Sequence, residues 1–278
     1  MTTAAAVGTL FFVAVVTGVL VSWPVYRGLR RRSRYRLVAE TPTATPGDAA
    51  PGDTVLLTGT LRAGDDGVTG PVSGAVAPLA AWALDEFQDE STQLKYWTPT
   101  ARGLRVTRGS VADDGESVAL PSRTVECSTG EYTGLTGYDA VTGFDVDETL
   151  VEVADWDRVE EVSPTDSLPP RLQDLEEAVG LDAAKTGVTL IDLGRTHGTR
   201  RYREARVEAG ETVTVRGTVR EEDDGPVLGP PADGPGLVTD LDPDALARRY
   251  RWAYRKRVYG ALALWAGVVG FAAVVITV

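Results

Sequence analysis

The chain has 278 residues, with 40 acidic side chains against 28 basic ones and a single Cys, a single His and a single Met. One Cys excludes an intramolecular disulfide and any Cys-based zinc site, and one His excludes a His-rich metal centre. No charge occurs in residues 1–26 or 258–278, which excludes a plain soluble enzyme.

The first predicted element runs from Thr3 to Trp23 and is apolar on every face. At 1.5 Å per residue it reaches roughly 31 Å, about the thickness of a hydrocarbon core. It lacks the basic start of a cleaved signal peptide. Trp23 and Tyr26, on either side of Pro24 and Val25, suit headgroup depth. Residues 1–26 therefore read as a membrane span, followed at 27–36 by a collar of Arg27, Arg30, Arg31, Arg32, Arg34 and Arg36. Residues 37–53, rich in Pro, Thr, Ala and Gly, read as a linker.

Residues 37–247 hold all 40 acids and 16 basic residues, a net −24, while the whole chain has three Lys. Such an acidic, Lys-poor surface is expected of a protein adapted to molar salt, as in a halophilic archaeon, where its self-repulsion is screened; an acidic face for a basic partner is the alternative. The same field repels phosphates, so a nucleic-acid partner is not expected.

From Thr54 the pattern changes to short β-branched runs broken by Gly and Asp. Val55–Leu57, Gly103–Val106, Ser117–Leu120, Thr149–Val153 and Val188–Ile191 read as strands. Residues 54–241 are thus expected to form a mainly β domain, barrel- or sandwich-like, between two transmembrane helices. A soluble helix is expected over Pro169–Val179, stopped by Gly180. The last predicted element spans 242–278: Asp242 caps it, Pro243 takes the first helical position, and no breaker precedes Gly260. It carries a second collar, Arg248, Arg249, Arg251, Arg255, Lys256 and Arg257, and then becomes the second span. Both collars lie on the side of the central domain. The positive-inside bias then puts that domain in the cytoplasm and both termini outside. Anionic headgroups are the expected partners of the collars, at about 1 kcal/mol per charge.

An internal repeat crosses the domain. Residues 52–67 (GDTVLLTGTLRAGDDG) and 210–225 (GETVTVRGTVREEDDG) are identical at nine of sixteen positions without a gap. Each copy is a strand containing a Gly, Gly59 or Gly217, closed by an Asp-Asp-Gly turn. Two related β units in one domain are expected; two independent hairpins are the alternative.

Further residues carry a resemblance. Arg201–Gly210 (RYREARVEAG), followed by Val213-Thr214-Val215-Arg216-Gly217, places a tyrosine and a glutamate ahead of a G-x-x-x-x-V-x-G strand. Pro71-Val72-Ser73-Gly74 and Trp82–Glu86 precede it, and Gly236–Thr239 and a helix entering a span come after it. In that order the segments resemble the GIDE/MULAN-type "beside a membrane" domain of RING-type E3 ubiquitin ligases, over about 27–278. The resemblance implies a recognition or regulatory β module with two spans. It lends no catalytic residue, because a RING needs eight zinc ligands and only Cys127 and His197 exist here. The family's module lies on the side away from the cytosol, whereas the collars here place it inside.

No catalytic site, cofactor or metal is expected. Cys127 sits beside Glu126, which disfavours a thiolate. Arg195, His197, Arg200 and Arg201 form a basic stretch that reads first as a solvated hairpin and, as the alternative, as an anion or partner contact. The Asp-Asp-Gly sequences at 65–67, 113–115 and 223–225 read as hairpin tips rather than Ca²⁺ sites, and Trp82, Trp97 and Trp156 as core. The expected function is a membrane-anchored, non-catalytic interaction module binding a protein, peptide or lipid at the inner face. The alternative is a component of a RING-type E3 system whose catalytic part is on another chain.

Overall fold

The computed structural model describes residues 3–64, 67–89, 95–128, 140–181 and 196–277. In chain order the elements are α1 (Thr3–Glu40), β1 (Thr43–Ala44), β2 (Thr54–Ala63), β3 (Val68–Thr69), β4 (Val76–Ala77), β5 (Leu79–Asp89), β6 (Lys95–Val106), β7 (Gly109–Asp113) and β8 (Glu116–Leu120). Next come β9 (Arg123–Ser128), β10 (Phe144–Val146), β11 (Thr149–Glu152), β12 (Arg158–Val162), α2 (Pro170–Ala178), β13 (Arg200–Val207), β14 (Thr212–Glu222), β15 (Gly225–Gly229), β16 (Gly236–Thr239) and α3 (Pro243–Thr277). The chain divides into two compact units, a helical one (1–40 and 244–278) and a β unit (41–243).

In the helical unit, α1 and α3 each contain a stretch long and apolar enough to cross a membrane, with mean hydropathy 1.5 and 2.1. Only 6% of either stretch is covered by protein. Phe11, Leu20 and Phe271 are each at least 70% exposed, a surface that water does not tolerate and lipid does. Within α1, the Thr17 hydroxyl donates to the Val13 carbonyl (2.7 Å) and that of Ser22 to Val19 (2.6 Å), so neither needs an outside partner.

The β unit is mainly strands, as its alternating sequence predicts. Strands β2, β7, β8, β15 and β14 pair in that order, and β14 pairs back onto β2, closing a five-stranded barrel. Four of the pairings are antiparallel and β8–β15 is parallel, a Greek-key arrangement. Strand β14 also pairs with β16, and β16 leads on to β11 and β10. A second sheet, β12-β13-β5-β6-β9, is antiparallel throughout and is inserted between barrel strands in the sequence.

The two repeat copies become β2 and β14, and they lie side by side. Leu57 is opposite Val215, its own counterpart in the other copy, so a local two-fold axis passes through that pair. The two glycines then do the same work on either side. A Cβ on Gly59 would come within 2.8 Å of the Ala112 carbonyl oxygen of β7, and one on Gly217 within 2.5 Å of the Gly229 carbonyl oxygen of β15. Each glycine lets the next barrel strand approach, the close contact that sharp curvature demands. The copies differ in how each reaches its next barrel strand. β14 turns straight into β15, whereas β2 waits for the insertion of β3–β6 before β7 arrives.

Alternation divides the second sheet's faces. Leu79, Ala81, Ala83, Leu104, Val106, Ala205 and Val207 join the barrel's Val55, Leu57, Leu61, Val111 and Val213 in one core. Trp82, Leu84 and Tyr202 point the other way and pack with Leu172 and Leu175 of α2. Trp82 is fully buried as expected, while Trp156 packs at the edge of the main core and Trp97 stacks edge-on with Phe87.

Helix α2 ends at Ala178 with Val179 as its C-cap, and Gly180 follows at φ +64°, as the glycine predicts. Asp114 (φ 46°) and Gly115 (φ 93°) make the tip of the β7–β8 hairpin, and Gly225 (φ 113°) that of β14–β15; Asp65 and Asp66, and the strand expected at 188–191, lie outside the described residues. The segment read as a linker is drawn into the β unit: α1 continues to Glu40, and Thr43 and Ala44 pair with Leu56 and Leu57. Backbone amides were available there because the edge of β2 had an open hydrogen-bonding side.

Candidate binding cavity

Where β15 ends and β16 begins along β14, the core between them and β6 is not filled. A cavity of about 430 Å³ remains, within the range of small-molecule sites. Its walls are apolar: Leu79, Leu104 and Val106 from the second sheet face Val215, Leu228 and Leu237 from the barrel side. The turn Leu228–Pro231, which includes Pro230 and Pro231, forms one lip.

Polar groups stand at the mouth and are fixed there. The Arg123 guanidinium donates to the Thr149 hydroxyl (2.8 Å), the Asp147 carbonyl (2.9 Å) and the Asp147 carboxylate (2.8 Å). Asp147 and Glu148 form the β10–β11 turn with φ of 41° and 56°. Two consecutive non-glycine residues in the left-handed region cost energy, and such outliers persist only where the surroundings hold them. Arg123 and the bond from the Gly236 amide to the Glu148 carbonyl (2.8 Å) do so here. On the opposite lip, Arg216 is 3% exposed at its side chain. It donates to the Asp233 carbonyl (2.8 Å), the Pro235 carbonyl (2.9 Å) and the Asp233 carboxylate (3.1 Å), closing the 230–235 loop. The arrangement is an apolar space with an ordered polar rim, in which the Asp147 carboxylate and the Thr149 hydroxyl are both bonded to Arg123.

The residues singled out from sequence fall elsewhere. Arg195 lies outside the described residues. Arg200 and Arg201 are neighbours in β13 and so point to opposite faces. Arg200, 7% exposed at its side chain, is bound by the Glu176 carboxylate (2.6 Å) and that of Glu86 (3.2 Å). Burial alone would lower its pKa, but these two carboxylates outweigh it and hold the value raised. Arg201 pairs with Asp85 (2.7 Å) and stacks over Trp97, 4.2 Å from the ring centre. His197 precedes Gly198, whose amide bonds the Phe87 carbonyl. Cys127 is half-buried in β9 against the main core. The collar residues are carried on α1 (Arg27, Arg30, Arg31, Arg32, Arg34, Arg36) and α3 (Arg248, Arg249, Arg251, Arg255, Lys256, Arg257).

Sequence reasoning missed the polar side of the second sheet. The Tyr202 hydroxyl donates to Glu176, and burial pushes this phenol far above its ordinary pKa, with the Glu176 carboxylate adding to the shift. Glu204 is fully buried, and its carboxylate accepts from the amides of Val72 (2.7 Å) and Ser73 (3.1 Å) and from the Ser73 hydroxyl. The available sign was a lone Glu in the arginine-rich strand RRYREARV. Comparison with protein-family models, with curated proteins and with solved structures finds no match to this chain.

Proposed function

We propose that the protein is a membrane-anchored, non-catalytic interaction module whose β domain holds an apolar group of a protein, peptide or lipid partner at the cytoplasmic face. The observation that carries this reading is the cavity of about 430 Å³, apolar inside and rimmed by Arg123, Asp147 and Arg216. An alkyl diazirine probe, photolysed with the full chain in lipid nanodiscs, tests it. Crosslinks are expected at 104–106, 215, 228 and 237–238, and they should disappear in Val215→Phe, which puts a ring into the space, while labelling of α1 and α3 persists. Labelling of the helices alone would overturn the reading.

The placement inside rests on the two Arg-rich collars beside the β domain. Cys127 should resist an impermeant thiol reagent in intact cells and react once the cells are lysed in denaturant. Reaction in intact cells would reverse the orientation.

A second reading, a component of a RING-type E3 system with its catalytic part elsewhere, draws on one contact. The segments that carry the GIDE/MULAN-type resemblance, Val72-Ser73 and Tyr202-Arg203-Glu204, meet through the Glu204 carboxylate. Recovery of a ubiquitin-like protein or RING partner on purification from membranes would favour it.

A further inference from the structure

In the helical unit, α1 and α3 touch at Gly28. A Cβ there would lie 2.6 Å from Val258 Cγ2 and 3.4 Å from Arg257 Cβ, so the crossing tolerates no side chain at 28. The Trp265 indole donates to the Ala14 carbonyl (3.1 Å) on the apolar side of that point. On its other side the rings of Tyr35 and Tyr254 are 6.0 Å apart.

Gly28, the residue after Arg27, lies against Arg257, a Cβ at 28 falling 3.4 Å from Arg257 Cβ. Two cations, Arg27 of α1 and Arg257 of α3, are therefore neighbours across this contact and repel each other. No carboxylate among the described residues is paired with either. Glu40, the first acid after the span, is twelve residues beyond Gly28, roughly 18 Å along a helix. Asp244, the last acid before the second span, is thirteen residues ahead of Arg257. Both arginines stand where charge ends and the apolar spans begin, since 1–26 and 258–278 carry none. Arg27 lies 5.9 Å from the Trp23 ring, and Trp23 stacks with Tyr26, aromatics of the kind that settle at headgroup depth. Guanidinium groups take phosphate oxygens in paired hydrogen bonds, and a shared anion would offset the repulsion.

We propose that Arg27 and Arg257 form a clamp for the phosphate of one anionic phospholipid, whose acyl chains lie along the apolar parts of α1 and α3. The proposal rests on the two-span reading of the chain. It differs from a diffuse attraction of the collars, which is long-ranged and is screened when the Debye length falls to about 3 Å near 1 M salt.

The test uses the full chain in nanodiscs of phosphatidylcholine containing phosphatidylglycerol, washed in 1 M KCl, with retained lipid counted by native mass spectrometry. One phosphatidylglycerol per chain should remain on the unaltered protein. Arg27→Gln with Arg257→Gln should cut that retention at least tenfold. The charge-matched control, Arg32→Gln with Arg251→Gln on exposed positions, should keep it. Equal retention in both variants, or none in the parent protein, would overturn the clamp. Displacement of the lipid by millimolar inorganic phosphate would also overturn it, by showing a site for a soluble anion. Extraction of the chain from membranes by alkaline carbonate would instead remove the two-span reading, a separate failure that lipid counting does not report.

Discussion

On one face of the β12-β13-β5-β6-β9 sheet, Leu79, Leu104 and Val106 look across a gap of about 430 Å³ towards Val215 and Leu228. On the other face, Tyr202 and Glu204 are closed against α2 and the 70–75 turn, with Glu176 and Glu204 bonded to named donors. The same strands build both faces, and alternation alone separates them. A buried carboxylate must be satisfied or it destabilises the fold, so the polar face is committed to holding the domain together. An apolar wall incurs no such penalty when a space beside it stays open to a guest. The difference ties stability to the polar face and leaves the open space on the apolar one, where the proposed binding would occur.

Breaking the polar face should have the largest effect. Glu204→Leu strands the Val72 and Ser73 amides, and about 3 kcal/mol should be lost, lowering the melting temperature by roughly 10 °C. Glu204→Gln keeps an acceptor oxygen and should recover part of that loss. In both variants the probe crosslinks of the cavity should remain as long as the domain is folded. Filling the apolar face sharpens the contrast from the other side. Val215→Phe should abolish those crosslinks yet shift stability by less than about 1.5 kcal/mol, because the ring enters existing space. A large destabilisation would show that the gap is closed in solution.

The smallest effect is a matter of pH. The Tyr202 phenol is held protonated in the folded chain, well above the value of about 10 it has when unfolded. Its contribution is therefore complete below about pH 10 and is lost as the pH rises beyond that, by up to about 1.4 kcal/mol per unit. Tyr202→Phe should cost about 1 kcal/mol at pH 8 through the lost bond to Glu176. It should also melt with a shallower alkaline slope between about pH 10 and 11.5 than the parent protein. Parallel slopes would mean that the phenol is not buried in the working state.

Much of this architecture was legible in one dimension because it is periodic or compositional. Uncharged runs at both ends marked the helices of α1 and α3, and Gly180 and Pro243 marked where α2 stops and α3 starts. The sixteen-residue repeat marked β2 and β14. That the copies pair about Leu57 and Val215 emerged only from the fold, since self-similarity says nothing about adjacency. The basic stretch at 195–201 looked like one patch in sequence, but a strand sends Arg200 and Arg201 to opposite sides, where separate carboxylates meet them.

The sequence by itself determined the features that depend on near neighbours: two helices long and apolar enough to cross a membrane, two collars, the turn at Gly115 and a mainly β domain between the helices. Tertiary structure alone decided the rest, because its partners lie far apart along the chain. Glu204 meets the amide of Val72 across 132 residues. The cavity gathers walls from Leu79 to Val238. Gly28 meets Arg257 and Val258, across more than two hundred residues, only where two helices from opposite ends of the sequence touch. Local propensity and hydrophobic period act over a few residues, whereas burial and charge compensation are settled by whichever group the folded chain brings alongside.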